Sequence, residues 1–196
     1  MHGAHFHALF SRLHGGLVSY RYGEGADGGR ELIRGVVRPN FWHAPTANER
    51  GWGGPVEDGA WLLASRYRTA PPDASDPVVS VGDDGSMTAV YRYALPIQPA
   101  AVCELAYRVD ASGRVEVTQT MELIDGLPEL PEFGTLLTTA DRLDRWRWYG
   151  DGPEESYVDR CAGARLGVYE TDVRTALTPT CDRRRRAAAP ACAGRR

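Results

Sequence analysis

The chain has 196 residues, which is enough for one domain with its own core and too short for several. A hydrophobic fraction of 42% excludes wholesale disorder. The net charge of −3, which becomes more negative without the six arginines and one aspartate of residues 181–196, argues against nucleic-acid or anionic-membrane partners. The four cysteines lack C-x-x-C spacing, and no signal peptide or membrane-length apolar run is visible, so we expect a cytoplasmic protein with reduced thiols.

Short apolar stretches between thirteen prolines and twenty-two glycines favour an all-β chain. Alternating apolar residues predict strands at 5–10, 17–22, 31–33, 78–81, 87–95, 102–109, 114–123, 133–138, 145–149 and 163–173. In the strand at 114–123 we expect Val115, Val117 and Met121 to face inward. Residues 38–55 are predicted to form a long loop, and residues 57–67 the one short helix. About ten strands and one helix fit a large antiparallel β-sandwich.

The most distinctive stretch of the chain is residues 146–160. Its first part is a strand with large aromatic side chains, and residues 150–153 are predicted to be a turn that ends it. The two glycines of this turn permit either a positive φ or a close approach of another group to the backbone. The charged residues that follow, together with Tyr157, predict a polar loop braced by charge-assisted hydrogen bonds.

This stretch resembles the W-x-G-x-G-P-x-E-x-Y-x-D-R signature in the last domain of lactose-operon-type β-galactosidases, glycoside hydrolase family 2. The matching positions are Trp148, Gly150, Gly152, Pro153, Glu155, Tyr157, Asp159 and Arg160. Residues 40–51 resemble the family's N-F-W-R-A-P-T-D-N-D-x-G, and residues 127–134 resemble its L-P-x-L-P-R-x-G. Three motifs in the same order, from roughly residue 3 to residue 179, are far more specific than one short match.

The resemblance implies a galactose-mutarotase-like supersandwich over residues 1–180 that is truncated at its C-terminal end. It implies a fragment of an enzyme that hydrolyses terminal β-D-galactosides in carbohydrate metabolism. The partners would be a galactoside sugar and a barrel-containing β-galactosidase chain or domain. Mg and Na would be bound elsewhere in the whole enzyme, with no cofactor and no metal in this chain.

Within that enzyme, the resemblance implies that this domain supports and rims the sugar pocket without being catalytic. The loop containing the second motif would form the rim, where we place Asn48, Gly51 and Trp52. Three positions of this motif depart from the family pattern, because His43 replaces arginine and Ala47 and Glu49 replace aspartate. Glu132 likewise replaces the arginine of the third motif and reverses its charge.

Hydrolysis with retention needs two carboxylates about 5–5.5 Å apart. In the resembled family, both come from a barrel domain that precedes this region. Glu154 and Glu155 are adjacent and point in different directions, so ion pairs to Arg160 or Arg147 are the favoured interpretation. We therefore predict no catalytic residue in this chain.

The sequence leaves several alternative functions open. A metal site or a mutarotase-like site would use the N-terminal histidines, but we favour exposed strand histidines at His2, His5, His7 and His14. A free-standing carbohydrate-binding module would use Trp42, Trp52 and Trp61 as a stacking platform. The small subunit of a two-chain β-galactosidase is the remaining alternative.

Residues 181–196 depart from the family pattern as an arginine-rich tail that we expect to be disordered. The family continues from Thr-Pro into Tyr-x-x-Pro-Gln-Glu. Deletion of one cytosine from ACC CCC TAC CTG CGA CCG CAG GAG GCG G gives codons that encode residues 178–186 of this chain. We therefore interpret the tail as a frameshift product, in preference to a solvated basic tail or a nucleic-acid arm. The coding DNA would disprove this if no frame encoded Tyr-Leu-Arg-Pro-Gln-Glu.

Overall fold

The computed structural model describes residues 1–24, 29–45, 47–66, 77–122, 124–140, 143–153 and 161–173. The chain divides into two compact units. The first unit comprises Met1–His43 and Gly53–Ala140, and the second comprises Ala44–Trp52 and Asp141–Arg196. The boundary that we predicted at residue 180 and the arginine-rich tail lie outside the described residues.

Strands dominate both units. The first unit contains β1 (Phe6–Ser11), β2 (Gly16–Tyr22), β3 (Arg30–Glu31), β4 (Arg38–Asn40), β5 (Val78–Val81), β6 (Met87–Leu95), β7 (Ala101–Val109), β8 (Val115–Met121) and β9 (Gly134–Leu136). The second contains β10 (Arg145–Gly152), β11 (Arg165–Asp172) and a 3-10 turn at Cys161–Gly163. Three short helices are α1 (Ala47–Trp52) in the second unit and α2 (Gly54–Glu57) and α3 (Gly59–Arg66) in the first. None of the helices in the described ranges is long and apolar enough to cross a membrane.

All pairs between these strands are antiparallel, which confirms the predicted all-β fold. In the first unit, one sheet has the order β1-β2-β3, a second has the order β5-β6-β7-β8, and β4 pairs with β9. Alternate residues of β6 and β7 are buried, because successive side chains of a strand point to opposite faces. Phe10 of β1 packs edge-on against Tyr107 of β7, with ring centroids 5.5 Å apart. The two larger sheets therefore enclose a common core, as in a sandwich.

Three tyrosine hydroxyls cross between the layers of the first unit. Tyr107 of β7 donates to the carbonyl of Val37 at 2.8 Å, and Tyr93 of β6 donates to the carbonyl of Gly15 in the β1–β2 turn. In the opposite direction, Tyr20 of β2 donates to a carbonyl in the β7–β8 turn. Burial raises the pKa of the Tyr107 phenol. Each hydroxyl finds a partner, so the core contains these polar groups without leaving them unsatisfied.

The helices differ most from the sequence-based expectation. The predicted helix at 57–67 is confirmed as α3 (Gly59–Arg66), but two further short helices, α1 and α2, precede it. The predicted loop at 38–55 is wrong, since it contains β4, α1 and the start of α2. Gly53, with a φ of 89°, separates α1 from α2, and Pro55 occupies the first turn of α2, where its missing N–H is harmless.

Strand β8 corrects a smaller expectation. Val117, predicted to face inward, is 39% exposed, whereas Val115 and Met121 pack against the core. Strand β8 lies at the edge of its four-stranded sheet, so the opposing layer covers it only in part. The alternation of apolar and polar residues identifies the two faces of an edge strand. It does not show how much of the inner face the opposing sheet covers.

Candidate functional site

The second and third sequence motifs meet in the first unit. Asn40, at the end of β4, pairs with Gly134 of β9. The Asn40 side-chain nitrogen donates to the carbonyl of Trp42 at 2.9 Å and to a carboxylate oxygen of Glu132 at 3.0 Å. The structure thus brings together residues 40–42 and 127–134, which are far apart in the sequence.

Beneath this contact lies an aromatic cluster. Phe41 has no exposed surface, and its backbone N–H donates to the hydroxyl of Ser65 at 2.8 Å. Its ring lies 5.5 Å from that of Trp61 and 6.2 Å from that of Phe133, measured between centroids. The Trp61 indole N–H donates to the carbonyl of Pro128 at 3.2 Å. Phe41 and Trp61 pack in the interior and are therefore inaccessible to a sugar ring in this structure.

The contact between Asn40 and Glu132 gives a first testable prediction. The resembled family has arginine at position 132, but arginine has no acceptor for the Asn40 amide. We expect Glu132→Arg to lower the free energy of unfolding by about 1–2 kcal/mol, because a part-buried donor loses a partner. Urea denaturation measures this change. The control is Glu129→Arg, at an exposed position of the same segment, with an expected change within about 0.5 kcal/mol. Equal losses in both variants would contradict the prediction.

The residues that we expected at the pocket rim lie on α1, in the second unit. Asn48, Gly51 and Trp52 occupy positions i, i+3 and i+4 of this helix and therefore share one side of it. Asn48 and Gly51 are exposed, and Trp52 is 55% exposed. An added Cβ at Gly51 would meet no atom within 4 Å. This face offers an amide for hydrogen bonding, an indole for stacking and open space at the glycine between them.

Gly53 and Gly51 have different structural roles, and alanine substitutions at the two positions should change stability differently. Gly53 has a φ of 89°, in the left-handed region, so Gly53→Ala is expected to cost about 1–2 kcal/mol of unfolding free energy. Gly51 is helical and uncrowded, so Gly51→Ala is expected to be neutral or to stabilise by up to about 1 kcal/mol. Thermal unfolding of the two variants measures both changes. A loss from Gly51→Ala as large as that from Gly53→Ala would contradict this assignment.

The signature stretch forms a hairpin in the second unit. Strand β10 continues to Gly152, so the predicted turn at residues 150–153 is wrong. The ring of Tyr169, from β11, lies against Gly152 and Gly167. An added Cβ would be 2.8 Å from ring atoms at Gly152 and 3.1 Å at Gly167. These glycines provide a bare backbone on which the ring packs, and neither has a positive φ.

Aromatic contacts continue along the same face of the hairpin. Trp148 lies 5.2 Å from Trp146 and 5.4 Å from Tyr169, between ring centroids. The Trp148 indole N–H donates to the carbonyl of Asp151 at 3.2 Å. The structure therefore accounts for Trp148 and Gly152 of the signature by packing. Gly150 is buried in β10, whereas Glu155, Tyr157, Asp159 and Arg160, together with Glu154, lie outside the described residues.

The N-terminal histidines do not assemble a metal centre. His2 and His7 meet edge-to-face with ring centroids 6.0 Å apart. In the part of the chain that the structure describes, no group of three or more His, Cys, Asp or Glu side chains is placed to hold a metal ion. His2 instead forms an isolated antiparallel bridge with His7.

Comparison with known proteins identifies the family. A family model described as the β-galactosidase small chain matches residues 2–181, most of the chain. The chain belongs to this family. Its relatives include β-galactosidases from Clostridium acetobutylicum, 36% identical over 171 residues, and Streptococcus thermophilus, 35% identical over 177 residues.

The alignments with these two relatives cover most of this chain but only a small part of each relative. They take in 87% and 90% of this chain and 18% and 16% of the two β-galactosidases. A β-galactosidase small subunit from Latilactobacillus sakei is 32% identical over 183 residues, which is 86% of this chain and 56% of that subunit. The chain thus corresponds to a limited part of the proteins to which it is similar.

Proposed function

We propose that this chain is the sandwich portion of a glycoside hydrolase family 2 β-galactosidase and works with a barrel-containing chain or domain that hydrolyses terminal β-D-galactosides. The observation that carries the proposal is the family match over residues 2–181. On this proposal the chain acts in the cytoplasm, and it supports the sugar pocket from outside the catalytic centre.

The exposed face of α1 supports a place at the pocket rim. An indole that is 55% exposed at Trp52 provides a flat apolar surface for a sugar ring, and the nearby amide of Asn48 can exchange hydrogen bonds with sugar hydroxyls. Gly51 leaves room for a ligand to approach the helix. We assign these three residues to positioning of the galactoside and none to bond cleavage.

Within the described ranges, no group of side chains is placed to form a metal centre for this function. A catalytic Mg or Na would need clustered oxygen ligands, and the described residues contain no group of three or more candidate ligands. We propose that any such ion is bound by the remainder of the enzyme.

The small-subunit alternative has a specific observation in its favour. The relative from Latilactobacillus sakei is named a small subunit and matches 86% of this chain. The carbohydrate-binding module receives no such support, because its predicted platform required Trp61, which has no exposed surface.

Hydrolysis of a chromogenic β-galactoside tests the proposal. The purified chain is assayed alone and after mixing with a barrel-containing β-galactosidase chain that lacks this portion. Activity that requires both components supports the proposal. Hydrolysis by the chain alone would overturn it, because that would require a catalytic carboxylate pair within these residues.

A further inference from the structure

Strand β5 is an unusually apolar sheet edge. It ends the β5-β6-β7-β8 sheet, and all four of its residues are exposed. Val78, Val79 and Val81 are 63%, 56% and 76% exposed, and the strand contains no charged side chain. Soluble proteins normally protect such edges with charges, bulges or a covering segment. Among the described strands, only β6 pairs with β5.

The hairpin geometry shows which backbone groups face outward. Gly82 donates its N–H to the carbonyl of Ser86 at 2.8 Å, so these residues form a hydrogen-bonded pair at the β5–β6 turn. Hydrogen-bonded and non-bonded pairs alternate along an antiparallel ladder. Ser80 and Val78 therefore bond to β6, whereas Val79 and Val81 direct their N–H and carbonyl groups to the outer edge.

The core-facing side of this edge opens onto an apolar cleft. Val79 and Val81 stand opposite Ala89 and Met87 of β6 and share their face of the sheet. A cleft of about 460 Å³ lies between β1 and β5, and its walls include Phe10, Val79 and Tyr91. The core is therefore uncovered at the point where the backbone of β5 is free to pair.

We propose that β5 pairs antiparallel with β5 of a second copy of this chain, about a two-fold axis at Ser80. In this register Val79 of each copy forms a hydrogen-bonded pair with Val81 of the other. The four valine side chains then cluster on the core-facing side, and the two sheets join into one of eight strands. The two serines oppose each other on the outer face, where cross-strand hydroxyl pairs are favourable.

The charges at the ends of β5 agree with this register. The acidic turn at Asp83 follows the strand, whereas Pro77, which precedes it, lines the cleft together with Arg12. Antiparallel pairing about Ser80 places Asp83 of one copy opposite Pro77 of the other, on the side where Arg12 lies. The opposite edge of the same sheet differs, because β8 exposes Glu116, Thr118 and Thr120. A charged side chain such as that of Glu116 disfavours edge pairing.

Light scattering across a dilution series measures the first consequence. We expect a mass of twice the 21.5 kDa chain at high concentration. Val81→Lys is expected to give the monomer mass with unchanged circular dichroism, because four valines can no longer cluster around the axis. Val78→Lys is the matched control on the same strand, since its side chain lies on the other face and the dimer should persist.

Disulfide cross-linking locates the axis. Residues opposite each other in a non-bonded pair have Cα atoms about 4.5 Å apart, within the range that a disulfide can bridge. Ser80→Cys is introduced with Cys161, Cys181 and Cys192 replaced by serine. Cys103 is retained because it is buried and its pKa is raised to about 12, which disfavours the reactive thiolate. We expect covalent dimers from Ser80→Cys and none from Thr120→Cys in the same background.

Three results would overturn the proposal. The first is a chain that remains monomeric at every concentration. The second is a dimer that survives Val81→Lys or that cross-links equally through Thr120→Cys. The third is a monomer in which Val81→Lys instead abolishes binding to a barrel-containing β-galactosidase chain, because that chain would then be the occupant of the β5 edge.

Discussion

Mixed with a barrel-containing β-galactosidase chain, this chain is expected to support turnover of a chromogenic β-galactoside, whereas each component alone should show little activity. Glycoside hydrolysis depends on a carboxylate pair at a fixed separation, and enzymes of this kind accelerate their reactions by at least about a millionfold. We assign that pair to the barrel and the rim of the pocket to this chain. We therefore expect substantial turnover from the mixture and almost none from either component alone. To measure this difference, this chain is titrated into the barrel-containing chain and the initial rate of hydrolysis is recorded. The rate should saturate at a defined ratio of the two chains.

The same mixture tests the rim residues. Trp52→Ala is expected to raise KM about tenfold with little change in kcat, since it removes a stacking surface worth about 1.4 kcal/mol. Val56→Ala serves as the control, because Val56 is an 85% exposed apolar residue of neighbouring sequence that has no assigned role. If Trp52→Ala left both KM and kcat unchanged, Trp52 would have no place at the rim, although the mixing result would still stand.

Removal of the Trp61 side chain is expected to cause the largest loss of stability. Trp61 has no exposed surface, contacts Phe41 and donates its indole N–H to Pro128. Replacement of a buried tryptophan by alanine costs about 3–5 kcal/mol, a large part of the 5–15 kcal/mol that stabilises a typical domain. Urea denaturation followed by far-UV circular dichroism should show a lower midpoint or no folded baseline for Trp61→Ala.

Two variants make the Trp61 result specific. Trp61→Phe retains an aromatic ring against Phe41 but loses the indole hydrogen bond, so an intermediate loss is expected. Trp52→Ala should change the unfolding free energy by no more than about 0.5 kcal/mol, because the Trp52 side chain is largely exposed. Similar losses from Trp61→Ala and Trp52→Ala would refute the distinction between a core tryptophan and a surface tryptophan.

The strands were predictable where alternation and turn residues agree. Both β5 and β6 have the predicted limits, because a turn containing Gly82 and Gly85 separates two stretches of alternating character. The helices were less predictable. Helix α1 has six residues with a glycine among them, which is too short for a clear 3.6-residue period. Its placement depends on the surrounding fold more than on local preference.

The candidate site shows where single-sequence inference ends. The signature motif indicates a special role for Gly152 but does not distinguish a positive φ from a close approach of another group to the backbone. The deciding neighbour is Tyr169, which belongs to another strand and reaches Gly152 only after the hairpin has formed. The contact between Asn40 and Glu132 likewise depends on the pairing of β4 with β9. Sequence alone identified the residues but not these partners.

The three tyrosine hydroxyls that cross the first unit also have a mechanical meaning. Packed sheets lie about 10 Å apart and are held mainly by apolar contacts, which have no preferred direction and resist sliding poorly. Each of these tyrosines is held at its ring by packing and at its hydroxyl by a hydrogen bond to a carbonyl, so it connects the two layers at a fixed distance. Tyr20 belongs to the layer opposite that of Tyr93 and Tyr107, so both layers contribute side chains to these cross-connections. This bracing resists lateral slippage of one layer over the other.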